Sequence, residues 1–462
     1  MRTRAERRAR RRGLGFGWSL TILTLVAFGG RVAYVLTLRT RWKITFGDSL
    51  YYWGMANALA RGHWFAAPSF APGRYVADAS HPPLYSLFLA VVPFFKNGPA
   101  TPTQLMLWSC ALGAVSVLLV GLAGREIAGS RIGLIAAGLA VVYPNMWVHD
   151  GMLLSETMAI FVSAGVVLFA YRFARRPSAW RAVWLGVWCA LATLARSELV
   201  LIVPLLLVPL VLTRADTSWM GRLRWLVAGG AAIVVVMGPW IGYNLARFKE
   251  PVYLSTNLSG TLSAANCHDT YYGKTIGFKS YTCGYDYLIT AANKHPGFNT
   301  MDQSQQDRLV RAEAFRYIRT HLHRLPLIVL AREGRILAVF KPFQEVAVDH
   351  GLYNEERTIG RSLVWSFWVM FPLAIVGSFV LRRRRTGVPV WPLWTMPAVV
   401  VIAVAFTFAQ VRYRAPAEPS FVLLAAVAVD AGARAIAQRR AHRRDVVADQ
   451  PSHDVGAGVL TP

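Results

Sequence analysis

Five short polar stretches interrupt an otherwise apolar chain of 462 residues, and each carries side chains suited to moving a proton or holding an anion. The first is Phe46-Gly47-Asp48-Ser49-Leu50-Tyr51-Tyr52-Trp53, the start of an expected helix that closes at Gly62. A carboxylate in its first turn is placed to take a proton from a substrate hydroxyl, whereas the plainer use of Asp48 is as the helix N-cap. In Ser80-His81-Pro82-Pro83-Leu84-Tyr85, two prolines fix the backbone and present His81 and Tyr85. The stretch His149 to Thr157 contains Ser155, a natural helix cap, and Glu156, which either favours the helix dipole or supplies a second acid. Arg196 and Glu198 can neutralise one another across Ser197, but guanidinium geometry also suits a phosphate. Finally, Gln410 to Pro416 holds Arg412 and Arg414, which either snorkel to headgroups or bind a lipid-linked phosphate.

These are pairings of acid and base across the chain, not a local catalytic motif. The sequence has no phosphate-binding glycine loop, zinc spacing, nucleophile elbow or dinucleotide fingerprint. His321 and His323 are two residues apart and do not share a helical face, so they make no helical metal pair.

The elements that position these residues follow from composition. The chain is 55% apolar and 16% charged, yet its net charge is +26. That balance fits a membrane-embedded protein, with the basic clusters reporting sidedness and no nucleic acid partner. Apolar runs near 17–38, 104–124, 131–149, 155–172, 181–195, 199–213, 225–245, 361–381, 388–409 and 417–436 predict an all-α polytopic membrane protein with about ten spans. Starting from a cytoplasmic basic tail at 1–16, alternation puts every short basic connection on the cytoplasmic side. The apolar stretch from Pro83 to Phe95 is too short to cross and is expected to lie on the outer surface, as is the amphipathic helix after Asp48.

This layout gives a module at 17–245 with seven spans and a first outer loop at 39–103. A long outer segment follows at 246–360, then three spans at 361–436 and a tail at 437–462 expected to be disordered. All five polar stretches fall on the outer side. So do Cys267 and Cys283, candidates for a disulfide that would contribute ~3 kcal/mol in an oxidising compartment; two free thiols are the alternative. Cys110 and Cys189 lie inside apolar runs and read as core packing.

Gly47-Asp48 opening an aromatic helix, then His81-Pro82-Pro83-Leu84-Tyr85, Leu154-Ser155-Glu156, Arg196-Ser197-Glu198, Ser255-Thr256-Asn257 and Arg412-Tyr413-Arg414, in this order and on one side, resemble the GT-C superfamily of glycosyltransferases. The resemblance is to the branch of protein O-mannosyltransferases and lipid A aminoarabinose transferases, and it covers most of 17–436. It implies transfer of a sugar from a polyprenyl phosphate to a glycan, lipid or protein acceptor on the outer face of the cell membrane, with inversion. It implies Asp48 as the general base and Glu156 as a second acid and the candidate ligand of any divalent metal, no cofactor being certain. Arg196, Arg412 and Arg414 would bind the donor phosphate, with His81 and Tyr85 lining the cavity. Ser49 stands where O-mannosyltransferases carry the acidic partner of the first aspartate, which speaks against protein mannosylation. The competing class, a transporter or flippase of lipid-linked sugars, would place ionisable groups mid-span and show an internal repeat.

Overall fold

The computed structural model describes residues 15–40, 44, 47–68, 75–353, 356–384 and 386–448. The chain begins with α1 (Phe16–Tyr34, prolonged by a π turn to Arg39), α2 (Asp48–Ala60) and a small antiparallel hairpin of β1 (Ala66–Pro68) and β2 (Tyr75–Ala77). Then come α3 (Leu84–Lys96), α4 (Pro102–Ala128), α5 (Ser130–Val142), α6 (Glu156–Arg175) and α7 (Ala179–Ala195). A broken stretch of 3-10, π and α turns across 197–212 leads to α8 (Trp219–Arg247). The outer segment folds as α9 (Leu258–Ala265), α10 (Tyr281–Lys294), α11 (Gln303–Thr320), α12 (Leu325–Ile336) and α13 (Pro342–Tyr353), before α14 (Arg357–Arg383), α15 (Pro392–Phe406) and α16 (Glu418–Ala448).

Among the described residues, six segments are long and apolar enough to cross a bilayer: α1 with its π turn, α4, α6, α8, α14 and Val411–His442. The other four expected spans coincide with shorter apolar helices, namely α5, α7, the 197–212 stretch and α15. Two expectations change. α2 does not simply lie along a surface, because Tyr52, Met55, Ala56 and Leu59 are buried within the protein. The tail from 437 does not begin as disordered chain, because α16 continues to Ala448; residues 1–14 and 449–462 of the two expected tails lie outside the described residues.

The bundle has two chemically different ends. At one, Asp430 is fully buried and holds Arg131, Arg384 and Arg434 at 2.6, 2.9 and 3.0 Å, while Arg175 donates to the carbonyls of Glu126 and Ile127 and Arg214 to that of Ala174. These are the basic connections that the charge pattern groups together. At the other end of the same helices lie Glu156, the first residue of α6, and Arg196, which closes α7.

Small residues set the helix spacing. A Cβ added at Gly377 of α14 would fall 1.9 Å from the carbonyl oxygen of Leu424 in α16, and one at Gly186 of α7 would fall 2.2 Å from that of Gly229 in α8. Such close approach maximises van der Waals contact where lipid offers no hydrophobic driving force.

The outer segment is fastened to the bundle by a buried arginine. Arg332 donates to the carbonyl of Ala405 in α15, and within the segment itself Arg332 also donates to the carbonyl of Ala265 and Arg335 to that of Ile276. Within the segment Cys267 and Cys283 form a disulfide, with a Cα–Cα distance of 6.2 Å.

Because the atom facing Gly377 belongs to backbone and cannot rotate away, Gly377→Ala is expected to destabilise the protein by about 1–3 kcal/mol. The check is the thermal unfolding midpoint of the purified variant in detergent, which should fall below that of the wild type.

Candidate active site

The backbone places the first carboxylate. Gly47 adopts φ 78°, a left-handed value that suits glycine, and occupies the N-cap position of α2. Asp48 is therefore the first helical residue and not the cap, and its side chain is directed elsewhere. Its Oδ2 accepts from Arg412 Nη2 at 2.9 Å, and Oδ1 lies 3.7 Å from His81 Nε2. Ser49 turns the other way, its hydroxyl donating to the Met152 carbonyl at 2.6 Å and tying α2 to the loop before α6. That loop passes through Leu153 at φ 50°, an unusual value for a non-glycine residue, three residues before Glu156.

Glu156 is 1% exposed, yet it is charge-matched. Arg196 Nη1 donates to its Oε1 at 3.0 Å, and Arg412 Nη1 lies 3.5 Å from the same oxygen. Arg196 also contacts Glu198 Oε1 through Nε at 2.5 Å. The result is an alternating chain, Asp48, Arg412, Glu156, Arg196, Glu198, drawn from four separate parts of the sequence. Both guanidinium groups also lie against the Tyr413 ring, at 4.8 and 5.4 Å from its centroid. Gln410 accepts from Arg412 Nε at 3.1 Å and completes its orientation.

His81 is held by two segments distant in sequence. Gln303, at the start of α11, accepts from the Ala79 amide and donates to Ser80 Oγ, at 2.8 and 2.7 Å, and the Thr256 amide donates to the Ala79 carbonyl at 2.8 Å. Its imidazole packs against the rings of Tyr51 and Tyr52.

These groups open onto a cavity of about 990 Å³. Asp48, His81, Glu156, Arg196 and Arg412 all line it, as do Ser255, Thr256 and Asn257. One wall is apolar and comes from α15 and the residues after it, through Val399, Val400, Ala403, Val404 and Phe408. Further lining comes from the segment 250–311.

Two expected site residues are placed differently. Arg414 is 2% exposed and does not line the cavity; it donates to Glu418, to the Ile336 carbonyl and to Asn145, and lies over the Phe367 ring. Residues 411–417 form a 3-10 helix, whose three-residue turn sends side chains two apart to different faces, so Arg412 reaches the cavity and Arg414 the bundle core. Tyr85 is fully buried, its hydroxyl 2.9 Å from Ser109 Oγ, and stands behind Tyr52 instead of in the cavity. Conversely, Lys279 lines the cavity with its ammonium over the rings of Tyr281 and Phe408, a position without a local sequence signal.

Burial alone would raise the pKa of Asp48, but the charges of Arg412, His81 and Lys279 and the Arg412 hydrogen bond bring it well below the ordinary carboxylate value. Burial pushes His81 below its ordinary value, with Asp48 and Asp78 partly opposing. Burial opposes the charge on Arg196, but Glu198 and Glu156 outweigh it and raise its pKa.

The same matching bears on a metal. Asp48 and Glu156 both contact guanidinium groups, but Glu156 Oε2 is buried without a hydrogen-bond partner, and among the described residues no group of three or more His, Cys, Asp or Glu is set to hold an ion. Glu156, through this oxygen, would be the donor toward any divalent ion.

A family model described as dolichyl-phosphate-mannose-protein mannosyltransferase matches residues 80–243. The match takes in His81, Glu156 and Arg196 and begins after Asp48 and Ser49. Among solved structures, the oligosaccharyltransferase AglB from Archaeoglobus fulgidus, in complex with an inhibitory peptide and a dolichol-phosphate, aligns with a TM-score of 0.53 at 15% identity, covering 93% of this chain and 52% of that one. The chain shares the fold of this oligosaccharyltransferase over most of its own length. A second structure of the Archaeoglobus fulgidus oligosaccharyltransferase, tethered to an acceptor peptide containing the NVT sequon, gives 0.52 and 15%, covering 90% and 49%. The chain thus spans about half the length of these two structures. ArnT from Cupriavidus metallidurans bound to undecaprenyl phosphate aligns at 0.44 with 17% identity, over 90% of this chain and 78% of that one. No curated protein matches the chain.

Because the Asp48 pKa is depressed, its carboxylate stays ionised down past the ordinary value of 3.8, and its stabilising contribution is present above that value and lost as pH falls through the folded pKa. Any acid limb that Asp48 imposes on kcat/KM should therefore lie below pH 3.8. Lys279→Met, which removes one of the lowering charges, should move that limb to higher pH in a rate profile.

Proposed function

We propose that the protein is a membrane glycosyltransferase that moves a hexosyl or pentosyl unit from a polyprenyl phosphate to an acceptor hydroxyl, with inversion at the anomeric carbon. The observation that carries this reading is the meeting of Asp48 with Arg412, Glu156 and Arg196 at a cavity that has one apolar wall. An apolar wall beside two arginines suits a ligand that is a hydrocarbon chain at one end and a phosphate at the other.

In this mechanism the acceptor hydroxyl gives its proton to Asp48 while its oxygen attacks the anomeric carbon. The bond from that carbon to the phosphate oxygen breaks, and its electron pair stays on the phosphate. Arg412 and Arg196 neutralise the charge that develops there, so the leaving group needs no proton of its own. Glu156 spaces the two guanidinium groups, and His81 borders the acceptor approach.

Asp48 and the donor phosphate compete for Arg412. When phosphate takes Arg412, the charge that most strongly opposes the burial of Asp48 is withdrawn, and the carboxylate becomes a better base. The base would thus be activated only when donor is present.

The ten-span arrangement and the placement of the site on the outer face belong to the same reading. The basic connections gather at the end of the bundle opposite the site, and the positive-inside rule assigns that end to the cytoplasm. The carboxylates stand at helix starts rather than mid-helix, which favours an enzyme over a transporter.

Asp48→Asn should lower transfer roughly 10²- to 10⁴-fold. It should bind polyprenyl phosphate at least as tightly as the wild type, since Arg412 is released. Arg412→Ala should instead weaken that binding roughly 10- to 100-fold. The measurements are transfer from polyprenyl-phosphate mannose, arabinofuranose, glucose and galactose in membranes lacking the native protein, and lipid-phosphate binding to the purified variants. Wild-type transfer by Asp48→Asn would remove the base assignment.

A further inference from the structure

The cavity has a second wall, from residues 250–264, the start of α10 and the first half of α11, that donor binding leaves without a role. Tyr281, Tyr285 and Leu288 are spaced i, i+4 and i+7 on α10 and therefore share one face. All three line the cavity and are exposed, Tyr285 by 65%. The other face of α10 is packed: Cys283 is bridged to Cys267, the Tyr287 hydroxyl donates to the Asn266 carbonyl at 2.8 Å, and Ala291 is buried. Tyr253 lines the same cavity and is 61% exposed. The tyrosines at 253 and 285 thus offer open ring surface to the cavity from two chain segments.

The charges on this wall cancel in pairs. Arg308 lies 3.2 Å from Glu250, and Arg311 lies 3.2 Å from Asp307, all four residues lining the cavity. Lys279, just before α10, adds a cation that is held over the Tyr281 and Phe408 rings, and the rest of the wall is phenol rings together with the hydroxyl and amide groups of Thr261, Asn257 and Gln306. An anionic lipid headgroup would call for uncompensated cations, and an extended peptide is commonly met by a free strand edge, whereas the strands described here are confined to 66–68 and 75–77. Aromatic rings that pack against C–H faces, flanked by neutral donors and acceptors, suit a sugar chain.

We propose that this wall is the acceptor subsite, and that it binds a neutral oligosaccharide across Tyr253 and Tyr285, with a terminal hydroxyl directed toward Asp48. The assignment deepens the glycosyl-transfer reading above and rests on it for the role of acceptor. It makes the product a sugar chain longer by one residue, and the donor and acceptor occupy different parts of one cavity.

The test uses the full chain reconstituted in nanodiscs. The probes are neutral hexasaccharides of mannose, glucose, galactose and arabinose, an end-blocked hexapeptide of serine and threonine, and polyprenyl phosphate, with binding followed by saturation-transfer NMR. At least one hexasaccharide should bind. Tyr253→Ala and Tyr285→Ala should each weaken it roughly 3- to 10-fold, Tyr253→Phe and Tyr285→Phe should restore it, and polyprenyl phosphate binding should be unchanged in all four. Polyprenyl phosphate binding without any hexasaccharide binding overturns the subsite and leaves the transfer reading standing. Binding of the hexapeptide in place of the sugars, weakened by the same substitutions, also overturns it in favour of a peptide acceptor. Hexasaccharide binding without polyprenyl phosphate binding upholds a saccharide site and brings down the transfer reading.

Discussion

The alternation of Asp48, Arg412, Glu156, Arg196 and Glu198 is the constraint on which the site depends. Isolated in a low-dielectric bundle, any of these charges would be costly, and each is tolerable because its neighbours have the opposite sign. The chain of charges also does the work of assembly, since its members come from the start of α2, the start of α6, the end of α7 with the turn that follows, and the 3-10 turn before α16. Removing one member leaves its neighbours uncompensated as well as unpaired, so substitutions at these positions are energetically coupled.

The protein contains other buried ion pairs, and comparison with them shows what distinguishes the site. Arg31 and Asp150 meet at 2.8 Å with both side chains almost fully enclosed, Thr157 also donating to Asp150. Arg414 and Glu418 are enclosed likewise, with Tyr143 donating to the same carboxylate. In these cases the hydrogen-bonding capacity is directed into helix contacts. Asp48 differs in being 34% exposed at the cavity surface, which leaves an oxygen within reach of a ligand.

Much of this arrangement was legible in the sequence. The apolar runs located the helices because crossing length and flanking charge are properties of contiguous residues. Asp48, Glu156, Arg196 and Arg412 could be grouped because the expected layout of apolar runs leaves all four in connections on one side. The failures have geometric causes. Arg412 and Arg414 look equivalent in sequence and diverge only because the local helix is 3-10. Tyr85 follows the prolines that present His81, but it falls on the face of α3 that packs inward with Leu89. Lys279 and the α10 stripe depend on how the outer segment folds back, which no local periodicity reports. The alternative of two free thiols was open in sequence, because spacing does not fix Cα separation.

The disulfide has a consequence for biogenesis. Lys279 and the first turn of α10 lie within or beside the loop that Cys267 and Cys283 close. Closing that loop removes two electrons from the chain, so the polypeptide can complete its hydrogen bonding and packing and still lack one covalent tie in the wall of its cavity. Maturation is therefore an oxidation as well as a folding reaction, and the supply of an electron acceptor helps set when a newly made molecule is finished.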